Sequence, residues 1–373
     1  MSENVASTIY DILYYLVKLC YNVADKNDKG DGKMSKAEIL FLNNKAMDEL
    51  GTADMEAVIH DVERVYTLTQ NGDVIAPGKC VMRWGNTVED ENVLGRINAM
   101  PGYIGGEYDM AGIKWIGSGP MNYKKGLPRA SVTIILNDPD TKLPLCVADG
   151  TKVSTMRTGA SGGVAIKYLA KSDAAVMTIC GAGAQAPTQL EAAMIARPGL
   201  NTLYIYDIRP ENAQRFADEV TAKYPTLKAI PTDDVEAAVR ESDIIDCVTL
   251  ASEPFIKGEW LKKGALVMNM ADYEVDNECV KKSSKVVVDY WENVKHRMIS
   301  TVALMWQDGL FKDEELHAEI GDIVNGTKPG RENDDEIIYF NAVGAGIMDI
   351  AVTARCYKNA IKEDKGIKLP YWE

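Results

Sequence analysis

An apolar run, Val176-Met-Thr-Ile-Cys180, passes directly into Gly181-Ala-Gly183-Ala184-Gln185-Ala186 and then into a helical pattern. No other stretch restricts the fold so strongly. In a strand–turn–helix of this form the first glycine makes the tight turn, the second lets backbone approach a pyrophosphate, and the small third residue lets helix and strand pack closely. The helix N-terminus then offers N–H groups and a positive dipole end to the phosphates. Gly-rich turns also arise for structural reasons alone, so the surroundings decide. They agree: strand before, helix after, and an acid, Asp207, closing the next strand-like run Leu203-Tyr-Ile-Tyr-Asp207. A carboxylate there accepts hydrogen bonds from ribose hydroxyls and repels a 2′-phosphate, which favours NAD over NADP. Arg209, two residues on, is the cation that would greet such a phosphate, or else a surface residue at a helix start.

The chain of 373 residues is long enough for two ordinary domains or one large α/β unit. Residues 1–70 read as helical, with apolar residues at helical spacing in Ile9–Val23 and Met55–Leu68. Short β-rich runs follow at Cys80–Trp84, Gly112–Ile116, Ala130–Leu136 and Leu143–Val147, broken by the Pro/Gly-rich stretches Met100–Gly106 and Gly117–Pro120. An Ala/Gly-rich helix-like segment spans Ser154–Ala170. Beyond it strands (Ala175–Cys180, Leu203–Asp207) alternate with helices (Ala184–Ala196, Glu211–Lys223). Further strand-like runs come at Asp243–Leu250, Ala265–Asn269 and Lys285–Asp289. That alternation means βαβ units around a parallel sheet. Phe311–Asp335 is charged and irregular, and Glu336–Tyr357 returns to an apolar helix-like pattern.

Forty-one Lys and Arg against 55 Asp and Glu give a net charge of −14. With no Lys/Arg cluster along the chain, nucleic acid and anionic membranes are excluded as general partners. Seven cysteines, widely spaced and without a CxxC pair, read as reduced intracellular thiols. The apolar stretch Thr8–Ala24 is interrupted by Asp11 and Lys18 and has no basic leader, so it reads as an amphipathic helix on a cytoplasmic protein. Residues 25–38 resemble a calcium loop, but aligning Gly32 and Glu38 puts Lys29 where an oxygen ligand is needed. His60, His296 and His317 lack ligand spacing, and no metal is assigned.

Several further stretches carry a resemblance: Arg96-Ile-Asn-Ala-Met-Pro101, Ala111-Gly-Ile-Lys-Trp-Ile116, Gly126-Leu-Pro-Arg-Ala130, Ile135-Leu-Asn-Asp138 and Thr155-Met-Arg-Thr158. The glycine loop, Met270-Ala-Asp272, Val287-Val-Asp-Tyr-Trp-Glu292 and Asn341-Ala-Val-Gly344 extend it. Together they resemble the ornithine cyclodeaminase/μ-crystallin family from about Val81 to Cys356. The resemblance implies an α/β fold in which a Rossmann NAD-binding domain (158–342) is inserted into a discontinuous α+β substrate-binding and dimerisation domain (1–157 plus 343–373), assembled as a homodimer. It implies hydride exchange between Cα of an amino or imino acid and a nicotinamide.

Carried over residue by residue, the resemblance makes Asp272 the catalytic acid/base and Arg83, Lys114 and Arg157 the cations that hold the substrate carboxylate, with Arg96 a competitor for the role of Arg83. Asn98 and Met100 join the substrate set. Thr158, Gly181, Gly183, Ala184, Gln185, Ala186, Asp207, Arg209, Thr249 and Gly344 make the cofactor set. From the residues alone, Lys114 reads equally as an edge-strand charge facing solvent. Arg157 reads as a salt-bridge partner, Asp272 as a helix cap, Gly344 as a helix start and Asp349 as an exposed acid. One departure matters: where ornithine cyclodeaminases carry a glutamate for the substrate's distal amine, this chain has Asn98, and Glu107 is the acid that could replace it. The expected activity is therefore ornithine cyclodeamination to proline and ammonia, or net NAD-dependent dehydrogenation of a simple or N-substituted amino acid, or ketimine reduction. A non-catalytic binder like μ-crystallin is the rival from another class, against which Lys114, Asp272 and Asp207 speak.

Overall fold

Strand alternation and helical spacing build two sheets joined by long helices in the computed structural model, which describes residues 37–85, 95–270 and 272–372. The expected helix at Thr8–Ala24, and all but the last two residues of the calcium-like loop, lie outside the described residues. Residues 39–369 form one compact unit. The other unit, residues 1–38 and 370–373, is described only at residues 37, 38 and 370–372.

The first sheet comprises β1 (Ala37–Leu42), β2 (Val74–Ile75), β3 (Cys80–Trp84), β4 (Gly95–Ile104), β5 (Met110–Ser118), β6 (Ala130–Asn137), β7 (Pro144–Asp149) and β16 (Ile367–Trp372). Its order is β16-β1-β7-β6-β5-β4-β2, with β3 also on β4. β1 runs parallel to β7, and β2 to β7 pair antiparallel. Two expectations are corrected here. Residues 37–42 are strand rather than helix, because Leu40 and Leu42 point inward while Phe41 points out. The Met100–Gly106 stretch does not break the sheet: β4 runs through Pro101 and Gly102. β3 opposes residues 95–99 and β2 opposes 103–104, so Pro101 has a ladder on the β5 side only, where a residue without an N–H is tolerated.

The second sheet comprises β8 (Val176–Cys180), β9 (Thr202–Tyr206), β10 (Lys228–Pro231), β11 (Ile244–Cys247), β12 (Leu266–Asn269), β13 (Lys285–Val288), β14 (Ala318–Glu319) and β15 (Ile338–Asn341). It is parallel throughout, in the order β10-β9-β8-β11-β12-β15-β13-β14. Its strands are apolar on both faces: Ile244, Leu266 and Ile338 face one buried cluster, and Ile245, Val267 and Tyr339 face the other. β15 corrects the reading of Glu336–Tyr357 as wholly helical; a run of four residues is too short to tell a buried strand from a helix by period alone.

Six helices matter for the site: α1 (Met55–Gln70), α2 (Thr151–Leu169), α3 (Ala186–Ala196), α4 (Pro210–Lys223), α5 (Trp291–Arg297) and α6 (Gly346–Glu363). α2 and α3 approach closely because α2 has glycines at the contact. A Cβ on Gly159 would stand 2.5 Å from the Thr188 carbonyl oxygen, and one on Gly162 would stand 2.0 Å from Gln189 Oε1. α2 also lies against β6, and α6 against β4 and β5. One buried core therefore runs from Ile134 and Leu136 of the first sheet through these helices to Met177 and Leu203 of the second. Among the described residues no helix is long and apolar enough to cross a membrane.

Candidate active site

In a parallel sheet the strand order reverses at one point, and ligands bind outside the carboxyl ends of the strands there. Here β8 has β9 on one side and β11 on the other. Gly181 follows β8 with φ +102°, and a Cβ there would lie 2.9 Å from the Val248 carbonyl oxygen, so glycine is required. A Cβ on Gly183 would meet nothing within 4 Å, which leaves room above the loop for a ligand's phosphates. Ala184 and Gln185 complete the turn, and α3 starts at the buried Ala186. Asp207, just past β9, is tied to this loop. Its Oδ2 accepts from Ala182 N at 2.9 Å, and its Oδ1 accepts from Arg209 N at 2.9 Å and Asn212 Nδ2 at 3.2 Å. Arg209 is exposed at the cap of α4. Thr249 is committed locally: its N–H and its hydroxyl both donate to Glu274 Oε1, at 2.5 and 2.7 Å. Thr158 donates back along α2 to the Ser154 carbonyl at 2.8 Å. The open glycine loop, a helix N-terminus behind it and a fixed acid beyond the next strand fit an adenine dinucleotide with free ribose hydroxyls.

The first sheet contributes a buried charge cluster. Lys114, central on β5, is 1 % exposed, donates to Ser154 Oγ at 2.7 Å and lies 2.8 Å from Asp349. Arg157 Nε stands 3.2 Å from the other Asp349 oxygen. Ser154 and Arg157 share the inner face of α2, and Asp349 descends from the first turn of α6. Burial pushes the Lys114 ammonium down to about 8; Asp349 opposes that shift and Arg157 adds to it. Asp349 is fully buried, which overturns its reading as an exposed acid, and with it the solvent-facing reading of Lys114. Its apolar neighbours Ile347, Met348, Ile350 and Ala351 are the sequence signal from which its burial could have been read.

The return loop completes this side. Gly344 has φ +72°, and a Cβ there would fall 2.1 Å from Arg157 Nη1. Asp289, past β13, holds the loop, accepting from Gly344 N at 2.6 Å, Val343 N at 2.9 Å and Tyr290 N at 2.7 Å. Burial raises its carboxyl to about 6 against those three hydrogen bonds. Sequence reasoning missed Asp289, although it lies within the quoted Val287–Glu292 stretch.

Asp272 follows β12, and its Oδ1 accepts from Arg297 Nη2, at the end of α5, at 2.8 Å. Behind it Asn269 Nδ2 donates to the Asp272 carbonyl at 3.0 Å and to Glu274 Oε2 at 2.7 Å, and Tyr339 OH donates to Asn269 Oδ1 at 2.8 Å. Burial raises Glu274 to about 7. Arg96, on the first sheet, is held down by burial and by neighbouring cations and is drawn the other way by Asp272, so both sheets face one space.

Cross-strand register fixes the remaining residues. Met100 pairs with Lys114, Asn98 with Ile116, and Arg96 with both Arg83 and Ser118. With a period of two, Arg96, Asn98, Met100, Lys114 and Arg83 all project from one face. Arg83 thus stands in the row of Arg96, two rows from Lys114. Glu107 does not replace the missing acid: it sits beyond the far end of β4, held by Arg64 through two contacts of 2.7 and 3.0 Å.

The model of the ornithine cyclodeaminase/mu-crystallin family matches residues 41–364. The chain is 35% identical over 333 residues to N-((2S)-2-amino-2-carboxyethyl)-L-glutamate dehydrogenase of Staphylococcus aureus, covering 89% of this chain and 98% of that protein. Among solved structures it resembles Thermococcus litoralis Delta(1)-pyrroline-2-carboxylate reductase in complex with NADH and L-proline, at 35% identity and TM-score 0.80, covering 89% of this chain and all of the other. It also resembles an archaeal alanine dehydrogenase dimer with bound NAD, at 32% identity and TM-score 0.82, covering 90% and 100% of the two chains.

Proposed function

The chain belongs to the ornithine cyclodeaminase/mu-crystallin family, and we propose that within it this protein catalyses a net NAD-linked interconversion of an α-amino, or N-substituted amino, acid and its α-imine. It is an NAD-dependent oxidoreductase, and NAD, when bound, takes up or returns hydride at nicotinamide C4. The observation that carries the reading is the buried Lys114–Asp349–Arg157 cluster, set on the sheet that faces Asp272 and the glycine-loop sheet.

Each residue then has a task. Lys114 and Arg157 hold the substrate carboxylate, which fixes Cα. Asp349 favours the charged form of Lys114 against the burial that lowers its pKa. Arg157 Nε is ion-paired with Asp349 at 3.2 Å. In oxidation the Cα hydrogen departs with its electron pair, the substrate nitrogen gives a proton to Asp272, and a C=N bond forms. In reduction Asp272 returns that proton to nitrogen. Arg297 and Asn269 orient Asp272 but do not touch the reacting atoms in this scheme. Water added to the imine carbon yields a 2-oxo acid and an amine.

Net redox is favoured over cyclodeamination for a specific reason. Asn98 is neutral and Glu107 is engaged by Arg64, so neither offers a charge to a side-chain ammonium. A substrate-binding and dimerisation part (1–157 plus 343–373) around a dinucleotide part (158–342), a homodimer and a cytoplasmic location belong to the same reading.

The test incubates purified protein with NAD and L-alanine, L-proline, L-glutamate or L-ornithine, and with NADH and the matching imino acids, following NADH absorbance and ammonia together. NADH changing in step with substrate supports the proposal. Ammonia from L-ornithine with no accumulating NADH replaces it with cyclodeamination. NADH binding without turnover of any amino or imino acid replaces it with a ligand-binding role.

A further inference from the structure

Two loops leave the carboxyl ends of β11 and β12, one carrying Thr249 and the other Asp272. A single buried side chain, Glu274, joins them. Its Oε1 accepts from Thr249 N at 2.5 Å and from the Thr249 hydroxyl at 2.7 Å, and its Oε2 accepts from Asn269 Nδ2 at 2.7 Å. The same Asn269 Nδ2 donates to the Asp272 carbonyl at 3.0 Å, so one amide group serves both residues. Tyr339 OH, 2.8 Å from Asn269 Oδ1, meets the other end of that amide. Turned over, Asn269 would set oxygen against the Asp272 carbonyl.

Every partner of the Glu274 carboxyl is a donor, an arrangement complete only for the ionised form. Burial works against that form and pushes Glu274 up to about 7; Thr249 and Asn269 oppose the rise and Asp272 adds to it. The other titratable groups beside it are Asp246 and Cys247 of β11 and Tyr339 of β15. Among the described residues no cation is ion-paired with it. Asp246 is fully buried and neither of its oxygens has a hydrogen-bond partner among the described residues, so it keeps its proton. Cys247, raised by its hydrogen bond with Cys180 and by burial, and Tyr339, raised by burial, stay neutral as well. The charge behind the two loops therefore rests on Glu274.

We propose that Glu274 is a positioning residue for hydride transfer: as a carboxylate it clasps the Thr249 loop to Asn269, and through Asn269 it holds the main chain of Asp272. A proton on Glu274 turns one acceptor into a donor facing donors, which frees the Asn269 amide and disengages Asp272. This rests on the assignment of Asp272 to proton exchange with the substrate nitrogen.

The experiment measures kcat for NADH formation at saturating NAD and amino acid across the pH range. In parallel, NMR of protein with isotopically labelled threonine follows the Thr249 amide, which reports on Glu274 whether or not a substrate turns over. In wild type, kcat should fall as pH drops through about 7, and the Thr249 amide should shift over the same range. Glu274→Gln must point its NH₂ at a donor on one side or the other. It should lower kcat at pH 7.5 by about tenfold or more and abolish the acid limb, with NADH affinity within about threefold of wild type and the alkaline limb of Lys114 kept. Thr249→Val, a second variant in case the first fails to fold, removes one donor to the carboxylate. Its acid limb should move up by about half a pH unit. A merely structural tie would lower thermal stability and leave the limb in place, so an unmoved limb in both variants overturns the proposal. So does a Thr249 amide that does not titrate near pH 7; turnover alongside that result leaves the hydride-transfer reading standing. An amide that titrates there, with no amino or imino acid changing NADH, keeps the clasp and sinks that reading.

Discussion

Replacing Asp349 with asparagine removes a single oxygen charge from a nearly isosteric side chain, and its consequence can be worked from the geometry. In the native protein Lys114 titrates at about 8, lowered from 10.5 first by burial. Its folded value lies below its unfolded value, so the buried ammonium costs folding about 3 kcal/mol below pH 8. That cost fades as pH rises from 8 through 10.5. Asp349, at 2.8 Å, works against it. At an effective dielectric near 20 such a contact is worth up to about 6 kcal/mol, and a quarter of that already moves a titration by one pH unit. In wild type, kcat/KM for an amino acid should fall above pH 8 as Lys114 loses the proton with which it holds the carboxylate. In Asp349→Asn that limb should move down by at least about one pH unit, with the rate at pH 6 far less affected. Stability should drop only modestly at pH 7, because Lys114 can release its proton instead of remaining a buried unpaired cation. Initial rates of NADH formation between pH 5.5 and 9.5, at fixed ionic strength, decide the matter. An alkaline limb at the same pH in both proteins would refute the coupling.

Three further substitutions probe other parts of the site. Gly344→Ala forces a left-handed residue to carry a Cβ 2.1 Å from Arg157 Nη1; it should cost about 1–2 kcal/mol in thermal or urea unfolding and raise KM for the amino acid while NADH affinity stays near wild type. Asp272→Asn removes the proton acceptor and should lower kcat by about 100-fold or more, with NADH fluorescence titration showing cofactor binding retained. Asp207→Ala removes the carboxylate proposed to meet the ribose and the anchor on Ala182 N, so NAD affinity should fall and the ratio of NAD to NADP affinity, measured by competition, should move toward one. Unchanged selectivity would remove Asp207 from the cofactor site.

The dinucleotide half of the molecule was legible because its signals are local. Gly181, Gly183 and Ala186 sit within one turn whose backbone needs are met by neighbouring residues, and Asp207 closes the very next strand. Strand-like runs such as Asp243–Leu250 and Ala265–Asn269 marked the parallel strands β11 and β12 for the same reason. The same local logic failed where context overrode it. Pro101 and Gly102 signalled a break yet lie inside β4, since the gap between β3 and β2 excuses the missing N–H. Residues 37–42 were absorbed into a helical reading, although only their pairing with β7 settles them as strand.

What the sequence by itself determined is the strand–turn–helix that fits a dinucleotide, the α/β alternation and the kinds of charge available to the site. Which charges meet was decided by tertiary structure alone. Asp349 neutralises Lys114 only because α6 lies across β5, and Gly344 presses on Arg157 only because Asp289 ties down the return loop. No run of Lys and Arg marks the chain, yet the pairing of β3 with β4 sets Arg83 directly opposite Arg96. The physical reason is range: backbone propensity acts over a few residues, whereas Coulomb energy depends on distances and burial that exist only once sheet register and helix packing have set them.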